Sequence, residues 1–550
     1  MLSGFNPQEI QDLEGARSAI LALLNLVESM KQENQALRDE VQRMRDENNR
    51  LKGEQGKPDI KPNKSDDLDE TDHSSEKERN PSPKGWSKKS KRNKIVVDRE
   101  ETLTVDESIL PTDAQFKGYE EVVVQDIKLT TDTVLFRKEK YYSPSQKRTY
   151  LAPMPEGYVG EFGPSVRAMV LTLYYASGMT EPKIQEILGY TGVSISSGQI
   201  SNLLIKGKEA WHDEKEAVWQ AGLASTDWQH MDDTSTRVNG QNHHCHVVCN
   251  PVYSVYFTRP KKDRLTLIHI LQGTPHLDFR LNEQTQAFLE QFKTPMWAQT
   301  QIVAWPQNQP LTRIQMEGLL DRDAASLSDP QRARILEAAA LTAYNNQTTR
   351  PIVTKLLTDD APQFQFITRY QMLCWVHEGR HYKKLIPYVD YHRQVLKDFR
   401  KQFWQFYDQL LVYREDHSPP EADRLRAEFD TIFGQTTGYD DLDKRIAKTL
   451  AKKERLLTVL DFPELPLHNN PAELAARQRV RKRDISFGPR TPDGVEAWDT
   501  FNTLVETAKK LGVNIYAYIH DRISGGHLLP SLADLIHQWT ASGLYLPVST

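Results

Sequence analysis

Between residues 13 and 52 the apolar side chains recur on a strict seven-residue period, which limits what this segment can become. Ile20, Val27, Asn34, Val41 and Asn48 share one phase, and Leu23, Met30, Leu37, Met44 and Leu51 follow three places later. A helix that repeats an apolar stripe every 3.5 residues winds around a second helix to cover it. β-Branched residues at the first phase (a) with Leu or Met at the second (d) favour two parallel strands, and Asn34 and Asn48 fix the register. Glu33, Glu40 and Glu47 at g face Arg38, Arg45 and Lys52 at e of the partner. The expectation is a parallel homodimer; the alternative is a single amphipathic helix packed on its own domain.

The remainder divides by texture. At 550 residues there is room for three or four domains, and 38% hydrophobic content is enough for a sizeable core. A net charge of −5 is not that of a bulk polyanion binder, so any nucleic-acid contact must use local basic faces. Three cysteines, Cys245, Cys249 and Cys374, exclude a disulfide framework and suit a reducing cytoplasm. No signal peptide is apparent, and apolar runs such as 168–176 are too short to span a bilayer. The coil is assigned to 1–55 and a disordered linker to 56–97, where an acidic stretch precedes a basic one (Lys84 to Lys94) around Trp86. Residues 98–155 read as a small β subdomain, with strands at Glu121–Val124, Lys128–Leu135 and Tyr141–Tyr150. Residues 156–222 read as helical. Thr180 caps Glu181–Leu188 and Ser194 or Ser196 caps the next helix, in the manner of a helix-turn-helix. Ser196, Ser197, Gln199 and Asn202 would then face base edges; a plain helical bundle is the competing reading.

Three acids stand out in residues 223–525. An apolar run through Leu356 and Leu357 leads into Asp359 and Asp360, then Ala361-Pro362. It reads as a buried strand delivering carboxylates at its C-terminal end, where open α/β sheets place their chemistry. A similar step, Trp228 to Asp233, reads as a strand ending at Asp232. Glu473 follows Asn469-Asn470-Pro471-Ala472, which has a plain structural explanation: Asn470 as N-cap puts Glu473 at the capping-box position. Hard oxygen ligands gathered from distant parts of a chain suit two Mg²⁺ ions. His243–Cys249 and Val252–Thr258 alternate as paired strands. That alternation argues against zinc at His243, His244, Cys245, His246 and Cys249, because neighbours point to opposite faces. Cys374 and His377 have a two-residue ligand spacing but make only half a zinc site.

The order DDT, TDDAPQF, CWVH and NNPAELAAR…FG…TLVETAKKLGVNIYAYI resembles the DDE transposases of the insertion-sequence-sixty-six family, from about Ile127 to Ile523. The resemblance implies an RNase H-like α/β catalytic core; in this chain helical insertions at about 274–350, longer than expected for the family, and at about 385–465 interrupt it, and a tail follows at 526–550. Carried over by position, Asp232, Asp359 and Glu473 are the metal-binding catalytic acids, with Asp233 and Asp360 open as alternates. It implies Mg²⁺-dependent end cleavage and strand transfer, with Mn²⁺ able to substitute. DNA ends, target DNA and accessory proteins are the implied partners, and the nucleoid of a bacterial cytoplasm the place. The family's cysteine-rich zinc element has no counterpart here, since no cysteine precedes Cys245. Arg477, Arg479, Arg481, Lys482 and Arg483 follow Glu473 and are assigned to the DNA backbone. His377 points toward DNA or the acids, while Cys374 and Trp375 pack. The rival functions are a nuclease of the same fold without strand transfer, and a dimeric DNA-binding protein that has lost its chemistry.

Overall fold

The computed structural model describes residues 12–51, 97–106, 111, 114–127, 130–158 and 160–542. The expected linker, residue 97 apart, lies outside the described residues. The heptad segment is one helix, Leu13–Leu51. Of the three expected N-terminal strands only the last pairs, as a hairpin of β1 (Lys140–Ser143) and β2 (Arg148–Leu151). Glu121–Val124 and the described part of Lys128–Leu135 are unpaired, with Val122 and Val124 exposed. Alternation supplied a pattern there, but no neighbouring element covers it. Helices Glu181–Tyr190 and Ser197–Ile205 follow; Ser196 caps the second through Gln199 N–H, whereas the Thr180 side chain makes no cap bond.

The centre is a five-stranded mixed sheet in the order β5 (Tyr253–Arg259), β4 (Gln241–Asn250), β3 (Trp228–Val238), β8 (Lys355–Thr358), β9 (Tyr370–Leu373). β3, β4 and β5 form an antiparallel meander. Its first turn is Asn239-Gly240, both at positive φ, the pairing that a two-residue hairpin demands. β6 (Phe279–Arg280) and β7 (Pro310–Leu311) form a separate small ribbon within 274–350. β8 and β9 add parallel strands beyond β3. β3 does not stop at Asp232. Its parallel pairing with β8 ends at His230, but its antiparallel pairing with β4 continues to Val238.

Strand alternation sorts the sheet's two faces. Met231, Val248 and Leu356 join the core with the N-terminal helices, whereas Trp228 and Leu357 join a second core. That second core is the lobe inserted between β9 and residue 467, built on helices Asp390–Glu415 and Pro419–Phe433. Trp375 is its hub, packed against Phe403, Phe406, Phe429 and Phe433.

The free edge of the sheet is closed by helix Pro492–Lys510. Asp499, Thr503 and Thr507, spaced four apart, accept the N–H groups of Thr258, Tyr256 and Ser254, spaced two apart, at 2.6, 3.1 and 3.2 Å. The match is geometric: four helical residues rise about 6 Å and two strand residues about 6.7 Å. Unpaired edge groups, the usual template for another chain, are thereby satisfied. Residues 526–542 of the expected tail are not a simple tail, because helix Leu532–Ser542 buries Leu532 and Ile536 and packs on helix Glu209–Ser225. No helix among the described residues is long and apolar enough to cross a membrane.

Arg479 is buried at the same edge. It donates to Thr258 Oγ1 at 2.8 Å, lies 3.5 Å from Asp499 Oδ1 and covers the Trp498 ring at 4.4 Å. Asp499→Ala should therefore lower stability by about 3–5 kcal/mol, read from the urea midpoint, because it strands a buried cation. Arg479→Met combined with Asp499→Leu should recover only part of that loss, because the buried Thr258 N–H still lacks its acceptor.

Candidate functional site

Two strand positions bring the first two acids level. The last β3–β8 pair is His230 with Leu357, and Asp232 and Asp359 each lie two residues beyond it. Both therefore share the face of His230 and Leu357. Asp232 is registered opposite Val247, which packs with Cys245 and Cys249 on Ala472, Ala475 and Ala476. Those alanines lie on helix Asn470–Ser486, one turn of which carries Glu473. Small residues let this helix lie close to the sheet and set Glu473 over the two aspartates.

The second member of each aspartate pair is engaged elsewhere. Asp233 turns to the opposite face, where it accepts from Gln363 at 2.8 Å and lies 3.6 Å from Lys262. Asp360 pairs with Lys452 at 2.5 Å and Arg455 at 3.2 Å, both from the lobe.

The third acid is held by three short segments. Cys374 caps helix Trp375–Lys383, and its Sγ accepts the N–H of Asn469 at 3.2 Å. The Trp375 backbone N–H donates to Leu467 O at 2.9 Å, and its indole N–H to Leu456 O at 2.9 Å. The N-cap of the glutamate helix is Asn469, not Asn470, and it makes no side-chain cap bond. Its amide instead donates to Met231 O at 2.9 Å and accepts from His230 Nδ1 at 2.9 Å. Glu473 is therefore one place beyond the capping-box position. Its carboxylate accepts from Arg380 at 2.9 Å and lies 3.3 Å from His377 Nδ1.

The electrostatics are those of crowded carboxylates. Burial, then the charges of Asp359 and Glu473, push Asp232 up to about 8. Burial also raises Asp359, partly offset by the Ala361 N–H and His377. His230 is driven down to about 3 by burial, so its ring is neutral and adds no positive charge beside Asp232. Burial also lowers His377. Cys374, His377 and Glu473 bring ligand atoms within 4.8 Å of one another; the three acids form no such group among the described residues. Burial pushes the Cys374 thiol up to about 12, and it serves as an acceptor for Asn469 rather than as a ready thiolate.

The basic run splits. Arg479 and Lys482 are buried, against the expectation that they face DNA. Lys482 donates to Met179 O at 2.6 Å and sits 3.5 Å above the Tyr174 ring. The reason is helical phase: Arg479 continues the stripe of Ala472, Ala475 and Ala476. Arg481 is exposed, and Arg477 and Arg483 are half-buried. Sequence reasoning missed His230, Asn469 and Arg380. Strand alternation from Asp232 marks His230, and one helical turn from His377 marks Arg380.

The family model described as "Transposase IS66 family" matches residues 160–279 and 343–497. Its break falls within the segment 274–350. An uncharacterized protein of Sinorhizobium fredii, y4jO, is 30% identical over 317 residues, which cover 58% of this chain and 98% of that protein. No solved structure matches.

Two outcomes follow from the geometry. Asp232→Asn should raise the melting temperature in EDTA, since it removes a buried acid from beside two like charges. Asn469→Leu keeps the size but unpairs His230 and Met231 O, and should cost about 1–3 kcal/mol in denaturant titration.

Proposed function

Because the chain belongs to the IS66 transposase family, we propose that it is a DNA transposase acting through Asp232, Asp359 and Glu473 on an RNase H-like core. The observation that carries the reading is the approach of three carboxylates from distant parts of the chain, where burial first, and then the charges of Asp359 and Glu473, push Asp232 up to about 8. The donor set fits divalent cations: hard oxygens, a surplus of negative charge, and a buried Glu473 Oε1 without a hydrogen bond. Asp232, Asp359 and Glu473 would hold two Mg²⁺ ions, or Mn²⁺ in their place. The chemistry such ions supply when bound is activation of a water or 3′-hydroxyl and stabilisation of the leaving oxygen.

The protein's own contribution is placement. β3 and β8 set two carboxylates side by side, and Asn469 ties the third to them. Arg380 holds Glu473 in its rotamer and adds positive charge where a phosphate would approach, with His377 beside it. Exposed Arg481, with Arg477 and Arg483, tracks the DNA backbone beyond the site. Asp233 and Asp360 are supporting residues, matched to Lys262 and to Lys452 with Arg455. Ser196, Ser197, Gln199 and Asn202 are all exposed on and just before the Ser197–Ile205 helix, which suits reading of an element end. The N-terminal coil would join two chains so that both ends are held together.

The test is Mg²⁺-dependent nicking and strand transfer on a labelled duplex carrying the ends that flank the gene. Asp359→Asn and Glu473→Gln should each lower cleavage by roughly 10³-fold or more while DNA retention in a gel persists. Asp360→Asn should keep most of it. Cleavage that survives Asp359→Asn would overturn the assignment.

A further inference from the structure

The N-terminal helix has two working faces. Its a and d residues, among them Leu23, Val27, Met30, Leu37, Val41 and Met44, are 40–58% exposed. The back of the helix, where Leu21 and Glu28 take heptad position b and Asn25 and Gln32 position f, is seated on the lobe of its own chain. Asn25 brackets the segment 438–440 from both sides, donating to Gly438 O at 2.9 Å and accepting from Asp440 N–H at 3.1 Å. Gln32 donates to Asp441 at 3.1 Å. Gly438 sits at φ +82°, and a Cβ there would come within 2.9 Å of Leu21 Cδ1.

Glu28 anchors the contact. It is 2% exposed, and its two oxygens accept the N–H groups of Tyr388 and Val389 at 2.7 and 2.8 Å. Those groups open the helix Asp390–Glu415, where free N–H groups and the helix dipole favour a carboxylate. His392 Nδ1 lies 3.3 Å from the same carboxylate, and its ring stacks on Tyr439 at 4.3 Å. A buried acid with three partners in another domain fixes the rotation of its helix, and here that rotation turns the a/d seam outward.

We propose that this helix is bound by its back to its own lobe and by its seam to the same helix of a second copy. The coil is then a rigid axle with one lobe on each outer side, and it sets the separation and orientation of the two acid sites. The second copy is the occupant because the seam carries its own matching code: Asn34 opposite Asn34, and Glu33 and Glu40 opposite the partner's Arg38 and Arg45. The inference rests on the dimer named under the proposed function but not on cleavage.

The full-length protein allows a direct test. The three native cysteines are buried, so Lys401→Cys on the exposed side of the lobe accepts a single spin label. Light scattering should give the mass of two chains, and electron–electron resonance should give one narrow distance between lobes. Val41→Asp should halve the mass and abolish that distance. Glu28→Ala should keep the mass of two chains and replace the narrow distance by a broad distribution. A single-chain mass in the wild type would overturn the dimer itself. Two chains with a broad distance in the wild type would overturn the rigid axle alone. A narrow distance untouched by Glu28→Ala would overturn Glu28 as the anchor.

Discussion

Asn469 has no exposed surface and uses both ends of its amide, one on the Met231 carbonyl and one on the His230 ring. Its own N–H goes to the Cys374 sulfur. One residue thus joins the strand that carries Asp232, the helix cap beside His377, and the helix that carries Glu473. Since Met231 O fixes the amide's NH₂, His230 must carry its proton on Nδ1 to reach the amide oxygen. The alignment of three acids from distant parts of the chain depends on this buried set of bonds, all of which lose a partner together if it moves.

The charges around the site are sorted by face. Lobe residues Lys452 and Arg455 neutralise Asp360, and Lys452 with Arg445 also pairs with buried Glu378. Among the described residues, burial and neighbouring carboxylates raise Asp232, and the Ala361 N–H and His377 only partly offset the rise of Asp359, whereas Glu473 has Arg380. The positive charge is therefore withheld from the two aspartates and concentrated around them.

Much of this was legible because the signals are local. The heptads, the Asn239-Gly240 hairpin, the alternation of β4 and β5 and the apolar lead-ins to Asp232 and Asp359 each depend on a few neighbouring residues. What the sequence withheld depends on partners far away. Asn469 and Asn470 are indistinguishable as caps until Met231 and His230 are beside one of them. The run Arg477–Arg483 reads as a basic face, yet Arg479 lies on the alanine stripe and finds Asp499 across the sheet edge. Asp499, Thr503 and Thr507 form a polar stripe on an otherwise apolar helix face, and only β5 explains it. For residues 13–52 the heptads allow either a homodimer or a single packed helix. The structure shows the packing on the helix's back face, which leaves the seam open for the other.

The lobe leaves and re-enters the core at one point, since Trp375 N–H meets Leu467 O and Asn469 N–H meets Cys374. Its base is cinched, so the path length between these bonds has little leverage on where the acids stand. Lengthening such an excursion is thermodynamically mild, about 0.6 kcal/mol for each doubling of a flexible loop. Insertions and deletions in the outer helices are thus tolerable to the carboxylate cluster, provided Lys452 and Arg455 still reach Asp360. The lobe is free to diverge in size and surface without any change in where the three carboxylates stand.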